Sequence, residues 1–355
     1  MRHFAVVVCL ALSACGARAA TFTVTTSADS GPGSLRDAIL GANASTPPND
    51  IRFTLSPARI VPLSPLPALT NSMTLDGTNH PVYISAPVVI LDGQYGATNG
   101  PGLQVNGTGI VVRALRLVGF TGTAVQVQGS FNAVEGCQVV SNLQYGVHVL
   151  GSSNRIGGVS NALRNMIYGN PRGGVVITNG TGNTVLANLV GVNIFGFGSS
   201  GRGEPPQERG IWLSGGRETL LEGWTGGVLV VSGNGVGVEI GPATYSNTVR
   251  GAWFSVDAEG TGSVPNANAI IIHGPSHGNV LGGAFDSQRN VIGANSNRAV
   301  QLLAGSSNNT IRSLLVGFHP LFSALYTNQY GLLISNSAGN VVGAPGDSNF
   351  IVGCS

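Results

Sequence analysis

The apolar positions of this 355-residue chain recur as one short phrase. A glycine or alanine is followed by an apolar–any–apolar triplet, and some four or five residues later by an asparagine that opens a second apolar stretch. Copies read AVQVQGSFNAV (124–134), GVHVLGSSNRI (146–156), GVVITNGTGNTV (174–185), GVEIGPATYSNTV (237–249), AIIIHGPSHGNV (269–280), AVQLLAGSSNNTI (299–311) and GLLISNSAGNVV (331–342). A degenerate copy, GIWLSGGRETLL (210–221), has Glu218 near the asparagine place. The matched Asn132, Asn154, Asn183, Asn247, Asn279, Asn309 and Asn340 lie 22 to 35 residues apart once the degenerate copy fills the one double gap. Short strands at such a period, with no helical spacing between them, predict a β-solenoid.

Alternation within each strand assigns its faces. In GVVIT, Val175 and Ile177 point inward and Val176 points out. The central residues of successive copies therefore form an outward column: Gln126, His148, Val176, Trp212, Glu239, Ile271, Gln301 and Leu333. The recurring asparagines have a structural account. Turns of a solenoid stack about 4.8 Å apart, so equivalent amides meet and can hydrogen-bond along the stack. Asparagine also tolerates the left-handed conformation that tight corners require.

The N-terminal part departs from the phrase. ADSGPGSLRDAILGANA (28–44) predicts a short helix with Ser34 as N-cap and Asp37 three residues on. Leu35, Ala38, Ile39 and Ala42 form its apolar face. A solenoid exposes the core and strand edges of its first turn, so an amphipathic cap belongs there. IRFTL, RIVPL, MTLDG and VVILDG read as the first irregular turns. Residues 21–100 thus form the cap and these turns, and 101–355 the regular repeats. No second cap follows, and GNVVGAPGDSNFIVGCS stops within a turn.

Composition supports an all-β reading. Glycine contributes 54 residues, charged residues only 9 %, and apolar residues 42 %, a packed chain with many turns. Residues 1–20 have a basic start, an apolar run and small residues at Ala17-Arg18-Ala19-Ala20, as a secretory signal peptide does. Leu12-Ser13-Ala14-Cys15 offers the alternative of a lipobox, with a lipid anchor at Cys15. Lysine is absent. Without Arg2 and Arg18 the remaining 15 arginines balance 15 acidic residues, so nucleic acid and anionic membranes are poor partners. No apolar stretch is long enough for a transmembrane span. Cys137 and Cys354 have no metal-ligand spacing and are expected to be buried free thiols rather than a disulfide.

The repeats resemble the right-handed parallel β-helix proteins of bacterial surfaces and secretions, the pectin-lyase-like superfamily. One subgroup opens with a segment similar to TVTTSADSGPGSLRDAILGAN (23–43) and continues with modules similar to NTVLANLVGVN (183–193) and NTVRGAWFSVDAEGTGSVPNANAIII (247–272). RNMIYGN (164–170) and RNVIGAN (289–295) match the companion module. The resemblance spans essentially the whole mature chain and implies the fold and its handedness. It implies no activity, because the superfamily includes lyases, galacturonases and adhesins alike.

The residues give little sign of catalysis. Glycoside hydrolysis needs two carboxyl groups roughly 5 to 10 Å apart, but the eight aspartates, none adjacent to another, are scattered. Asp286, Asp347 and Asn161 hold one equivalent turn position. Lyase chemistry of the pectate type needs a strong base and calcium carboxylates. Lysine is missing, and GRGEPPQERG (201–210) has the wrong spacing and reads as a solvated loop. GFGSSG (196–201) formally matches a dinucleotide loop, but Pro205 and Pro206 forbid the helix it needs. His273 and His277 sit on strand and turn, so neither a metal nor any other cofactor is expected.

An exposed tryptophan beside a carboxylate suits sugar stacking with a hydroxyl hydrogen bond. Trp212 and Glu239 are therefore the candidate ligand residues, flanked in the column by His148 and Gln301; a loop covering the column would make Trp212 an ordinary buried side chain. The expected protein is secreted or surface-exposed, structural or adhesive, with extracellular polysaccharide or cell-surface components as partners. The alternative is a polysaccharide lyase or glycoside hydrolase with a divergent site, which convergence of Glu239, Glu218 and Arg217 in an open cleft would favour.

Overall fold

The computed structural model describes residues 19–94, 100–193, 206–223, 226–321, 325–343 and 346–354. Nearly all of the signal segment, Cys15 and GFGSSG lie outside the described residues. Every pairing within the three main sheets is parallel, and each strand pairs with its counterparts one turn before and one turn after. A first sheet has 12 strands, a second 11 and a third 9. One turn illustrates the winding: Val125–Val127 lies in the third sheet, Ala133–Glu135 in the first and Gln138–Val140 in the second.

Alternation places the core as expected. Val125, Val127, Val147, Val149, Val175, Ile177, Ile211, Leu213, Val238 and Ile240 point inside and are fully buried. Each such side chain contributes about 1.5–3 kcal/mol on transfer from water. Helix α1 (Leu35–Ala44) caps the first turn: Leu35, Ala38, Ile39 and Ala42 are buried, and Ser34 Oγ accepts from the Asp37 amide. Asp37 returns its carboxylate to the Gly33 amide at 3.3 Å, one residue earlier than a strict capping box. Asp29 clasps the helix to the body by accepting from Arg36 at 2.8 Å and from the Leu63 amide at 2.8 Å.

The asparagines form a ladder with a defined polarity. The Asn132 amide donates to Asn154 Oδ1, Asn154 to Asn183, Asn247 to Asn279, Asn279 to Asn309 and Asn309 to Asn340, at 2.8–3.0 Å. In the degenerate turn the equivalent residue is Thr219, whose amide donates to Asn247 Oδ1 at 2.8 Å, rather than Glu218. The left-handed residue is also not the ladder asparagine. It is the residue before it: Phe131, Ser153, Gly182, Glu218, Ser246, Gly278, Asn308 and Gly339 all have φ between 49° and 68°. The corner bends there, which leaves the asparagine extended enough to reach along the stack.

Two further ladders occupy the other corners. Between the second and third sheets Asn142, Asn170, Gln207 and Asn234 are linked in series, and Asn295 continues to Asn328. Between the first and second sheets Asn165 donates to Asn188 at 3.1 Å, and Asn290 and Asn349 accept from the amides of Ala252 and Leu314.

From residue 158 onward, corner lengths alternate with a two-turn period. The first-to-second connection is long at 158–165, 223–228, 282–289 and 343–349, and short in the turns between. The second-to-third connection does the reverse, being long at 191–206, 255–267 and 317–329. In two of the long first-to-second connections, equivalent 3₁₀ turns, Asn161–Leu163 and Asp286–Gln288, place the equivalent residues Asn161 and Asp286.

Candidate functional site

The outer face of the third sheet holds the predicted column in the predicted order, with Gln104 ahead of it. Register pairs run Gln104, Gln126, His148, Val176, Trp212, Glu239, Ile271, Gln301 and Leu333. The face is not bare: Val176 is 1 % exposed, Gln301 5 % and Glu239 9 %.

What surrounds Glu239 was not visible from alternation alone. Arg209 Nε donates to Glu239 Oε2 at 2.5 Å, and His273 Nε2 lies 3.3 Å from Oε1. The same guanidinium pairs with Glu208 at 2.7 Å and lies over the Trp212 ring, 4.6 Å from its centroid. One face of Trp212 is therefore occupied by Arg209, and its indole Nε1 is buried without a partner. Burial by itself would raise the Glu239 carboxyl, but hydrogen bonds and charge from His273 and Arg209 outweigh it and hold the group below its ordinary value.

Arg209 lies in its strand two residues before the inward Ile211, so strict alternation predicts that it points in. It belongs instead to a register row, Arg209, Val236, Asn268, Arg298 and Tyr330, in the first half of the third-sheet strands, whose members are half-exposed or exposed. GRGEPPQERG is corrected accordingly: its described end is not a solvated loop. Gln207–Ser214 is a strand, with Gln207 buried in a corner ladder and Arg209 in the cluster. His273 was legible, because it lies two residues beyond Ile271 and shares its outward phase.

The other candidates lie along the same column but outside this cluster. His148 bonds Thr178 Oγ1 at 3.0 Å, and burial holds its imidazole below the ordinary value. Gln301 donates to Asn268 Oδ1 at 2.6 Å. From His148 to Gln301 is five turns, about 24 Å at about 4.8 Å per turn. Arg217 and Glu218 do not join Glu239. They face one another at 3.9 Å in the exposed turn before the first sheet.

Elsewhere, His277 stacks on Tyr245 with centroids 4.3 Å apart, continuing a row of bridged turn residues. Cys137 is buried as expected, and burial pushes its thiol up to about 12. Cys354, by contrast, is exposed, because it lies on the last described turn. Among the described residues no three His, Cys, Asp or Glu side chains converge as a metal site.

The uninterrupted parallel winding of three sheets makes the chain a right-handed parallel β-helix. No protein-family model and no curated protein matches its sequence. Among solved structures, an alginate lyase from Paenibacillus sp. str. FPU-7 is similar at 12 % identity, with 90 % of this chain and 99 % of that one covered and a TM-score of 0.48. Pectate lyase Pel9A is similar at 13 % identity over 93 % of this chain and 79 % of that one, with a TM-score of 0.42. The PL6-family polysaccharide lyase Pedsa3628 from Pseudopedobacter saltans gives 13 % identity, 94 % and 81 % coverage and a TM-score of 0.40. The fold assignment rests on the strand pairing itself.

Proposed function

We propose that this is a secreted or surface-exposed β-helix that binds extracellular polysaccharide along the outer face of its third sheet. The observation carrying this reading is the Arg209–Trp212–Glu239–His273 cluster, set in a straight column of Gln, His and Trp side chains. Aromatic edges, amides and paired charges in a line suit a polymer whose repeating residues present hydroxyls at regular intervals. The structural or adhesive role follows from binding without turnover.

A second reading, polysaccharide lysis on the same face, is favoured by the convergence of three ionisable groups on one patch. His273 would then be the group able to take a proton, and Arg209 the charge facing a substrate anion.

One experiment separates the two. The purified protein is offered a polysaccharide panel, with retention and the release of unsaturated or reducing ends both measured. Glu239→Gln is expected to weaken retention roughly tenfold or more, because Arg209 and His273 lose a charged partner. Release of unsaturated ends that is abolished by Glu239→Gln would establish the lyase reading; retention unchanged in Glu239→Gln, with no chain cleavage by the parent, would sink both.

A further inference from the structure

The two-turn alternation of long corners has a consequence for the second sheet. Among the described residues, Asp286, Ser287 and Arg289 of one long first-to-second connection stand on one side of its outer face and Pro320 of a long second-to-third connection on the other. Between them lies a cleft of about 430 Å³ whose floor is Trp253, Val291 and Leu315 on three successive strands. Gly260, with φ +69°, brings the loop backbone against the Trp253 ring, where an added Cβ would fall 2.7 Å from it and 3.2 Å from Pro320. The indole is thus held in place from the loop side.

The chain contains its own comparison. Arg164 and Arg289 hold the same place in RNMIYGN and RNVIGAN. Arg164 is spent on architecture, with Nε donating to the Ala187 carbonyl at 3.1 Å and a terminal nitrogen to Val228 at 3.4 Å. Arg289 pairs instead with Asp286 at 2.7 Å, and that carboxylate is 90 % exposed at the cleft rim. The Asn161 that stands for Asp286 in the earlier turn supplies no charge.

We infer that this cleft is a second, separate sugar-binding site that takes one neutral pyranose residue of a glycan. An indole with Val291 beside it and Leu315 one strand further on is an apolar surface on which the C–H face of a sugar ring stacks. A carboxylate accepts two adjacent hydroxyls, and the guanidinium beside it donates to ring and hydroxyl oxygens. Because Asp286 and Arg289 neutralise one another, the site has no net charge with which to draw in an acidic sugar, and a uronate would meet the exposed Asp286. The cleft lies within the size range of small-ligand sites.

The test follows the indole N–H signals of the whole protein by NMR during titration with neutral oligosaccharides, separately glucans, mannans and galactans, and with oligouronates. A Trp253→Phe variant assigns its signal. A neutral oligosaccharide is expected to move the Trp253 signal, and Asp286→Ala to weaken that effect by about tenfold or more without changing the melting temperature, since the side chain is exposed. The reading given above for the third sheet is followed at Trp212 in the same spectra, so either site can fail alone. The inference is overturned if only oligouronates move Trp253, if no probe does, or if Asp286→Ala binds as the parent does.

Discussion

At the scale of single residues, the asparagine ladder assigns different tasks to neighbouring positions. The residue that bends the chain varies from phenylalanine to glutamate to glycine, whereas the next residue is asparagine wherever its amide can serve both neighbours. Asn279 is fully buried; its Oδ1 accepts from the amide and the side chain of Asn247, both at 3.0 Å. Asn279→Ala would leave the buried Asn247 backbone amide unpaired, at roughly 1–3 kcal/mol, while the Asn247 side chain keeps its bond to the Tyr245 carbonyl; Glu218→Ala on the exposed corner should stay within about 0.5 kcal/mol. Denaturant midpoints of the two variants check this, and equal midpoints would refute the division of tasks. Sequence reasoning identified the ladder residues from their period. It attributed the left-handed bend to the wrong member of the pair, because a spacing pattern carries no information on which of two adjacent residues turns.

At the scale of elements, strand faces were legible wherever alternation held, and the whole outward column from Gln126 to Leu333 follows from it. Alternation failed in the first half of the strand Gln207–Ser214, where Arg209 shares the phase of the inward Ile211 yet reaches Glu239 on the outer face, and this hid Arg209. Asn290 was legible as a corner-ladder residue beside Asn279, but the other members of the second and third ladders escaped because their asparagines are read singly within RNMIYGN and RNVIGAN. The five-residue spacing from Asn165 to Asn170, repeated from Asn290 to Asn295, was the signal: it bridges one strand of the second sheet from corner to corner. The capping helix was read correctly down to its N-cap and buried face, but its clasp was not, since Asp29 and Leu63 are distant in sequence. That clasp makes the cap sensitive to acid. Burial would raise the Asp29 carboxyl, but Arg36 and the amide of Leu63 act against it and hold the group below its ordinary value. A carboxylate depressed in the folded state contributes stability above its unfolded value and loses it as pH falls through the folded one. The melting temperature of Asp29→Asn should therefore lie below that of the parent at neutral pH and converge with it in acid. A constant gap at every pH would show that the clasp acts through hydrogen-bond geometry rather than charge.

At the scale of the whole molecule, a solenoid's turns contact only their neighbours, so local stability depends on what lies above and below. The first turn is covered by α1. In the last described turn Val342 is 46 % exposed and Ile351 41 %, where their counterparts one turn earlier, Ile311 and Val316, are buried. Hydrogen exchange should therefore be graded along the axis, fastest in Val341–Val342 and Phe350–Ile351 and slowest in the middle turns. Uniform exchange would instead mean that all turns open together.

The alternation of long and short corners also fixes the unit by which such a chain can change length. Joining Gly278 directly to Asn309 would remove one turn and keep the first ladder intact. It would also set the excursions 255–267 and 317–329 on adjacent turns, about 4.8 Å apart rather than twice that, in space that one of them already fills. Joining Ser246 to Asn309 removes two turns and leaves every excursion with its original clearance. From residue 158 onward a change of length by two turns preserves this spacing: the repeating unit is there a pair of turns, although the strand pairing repeats every one.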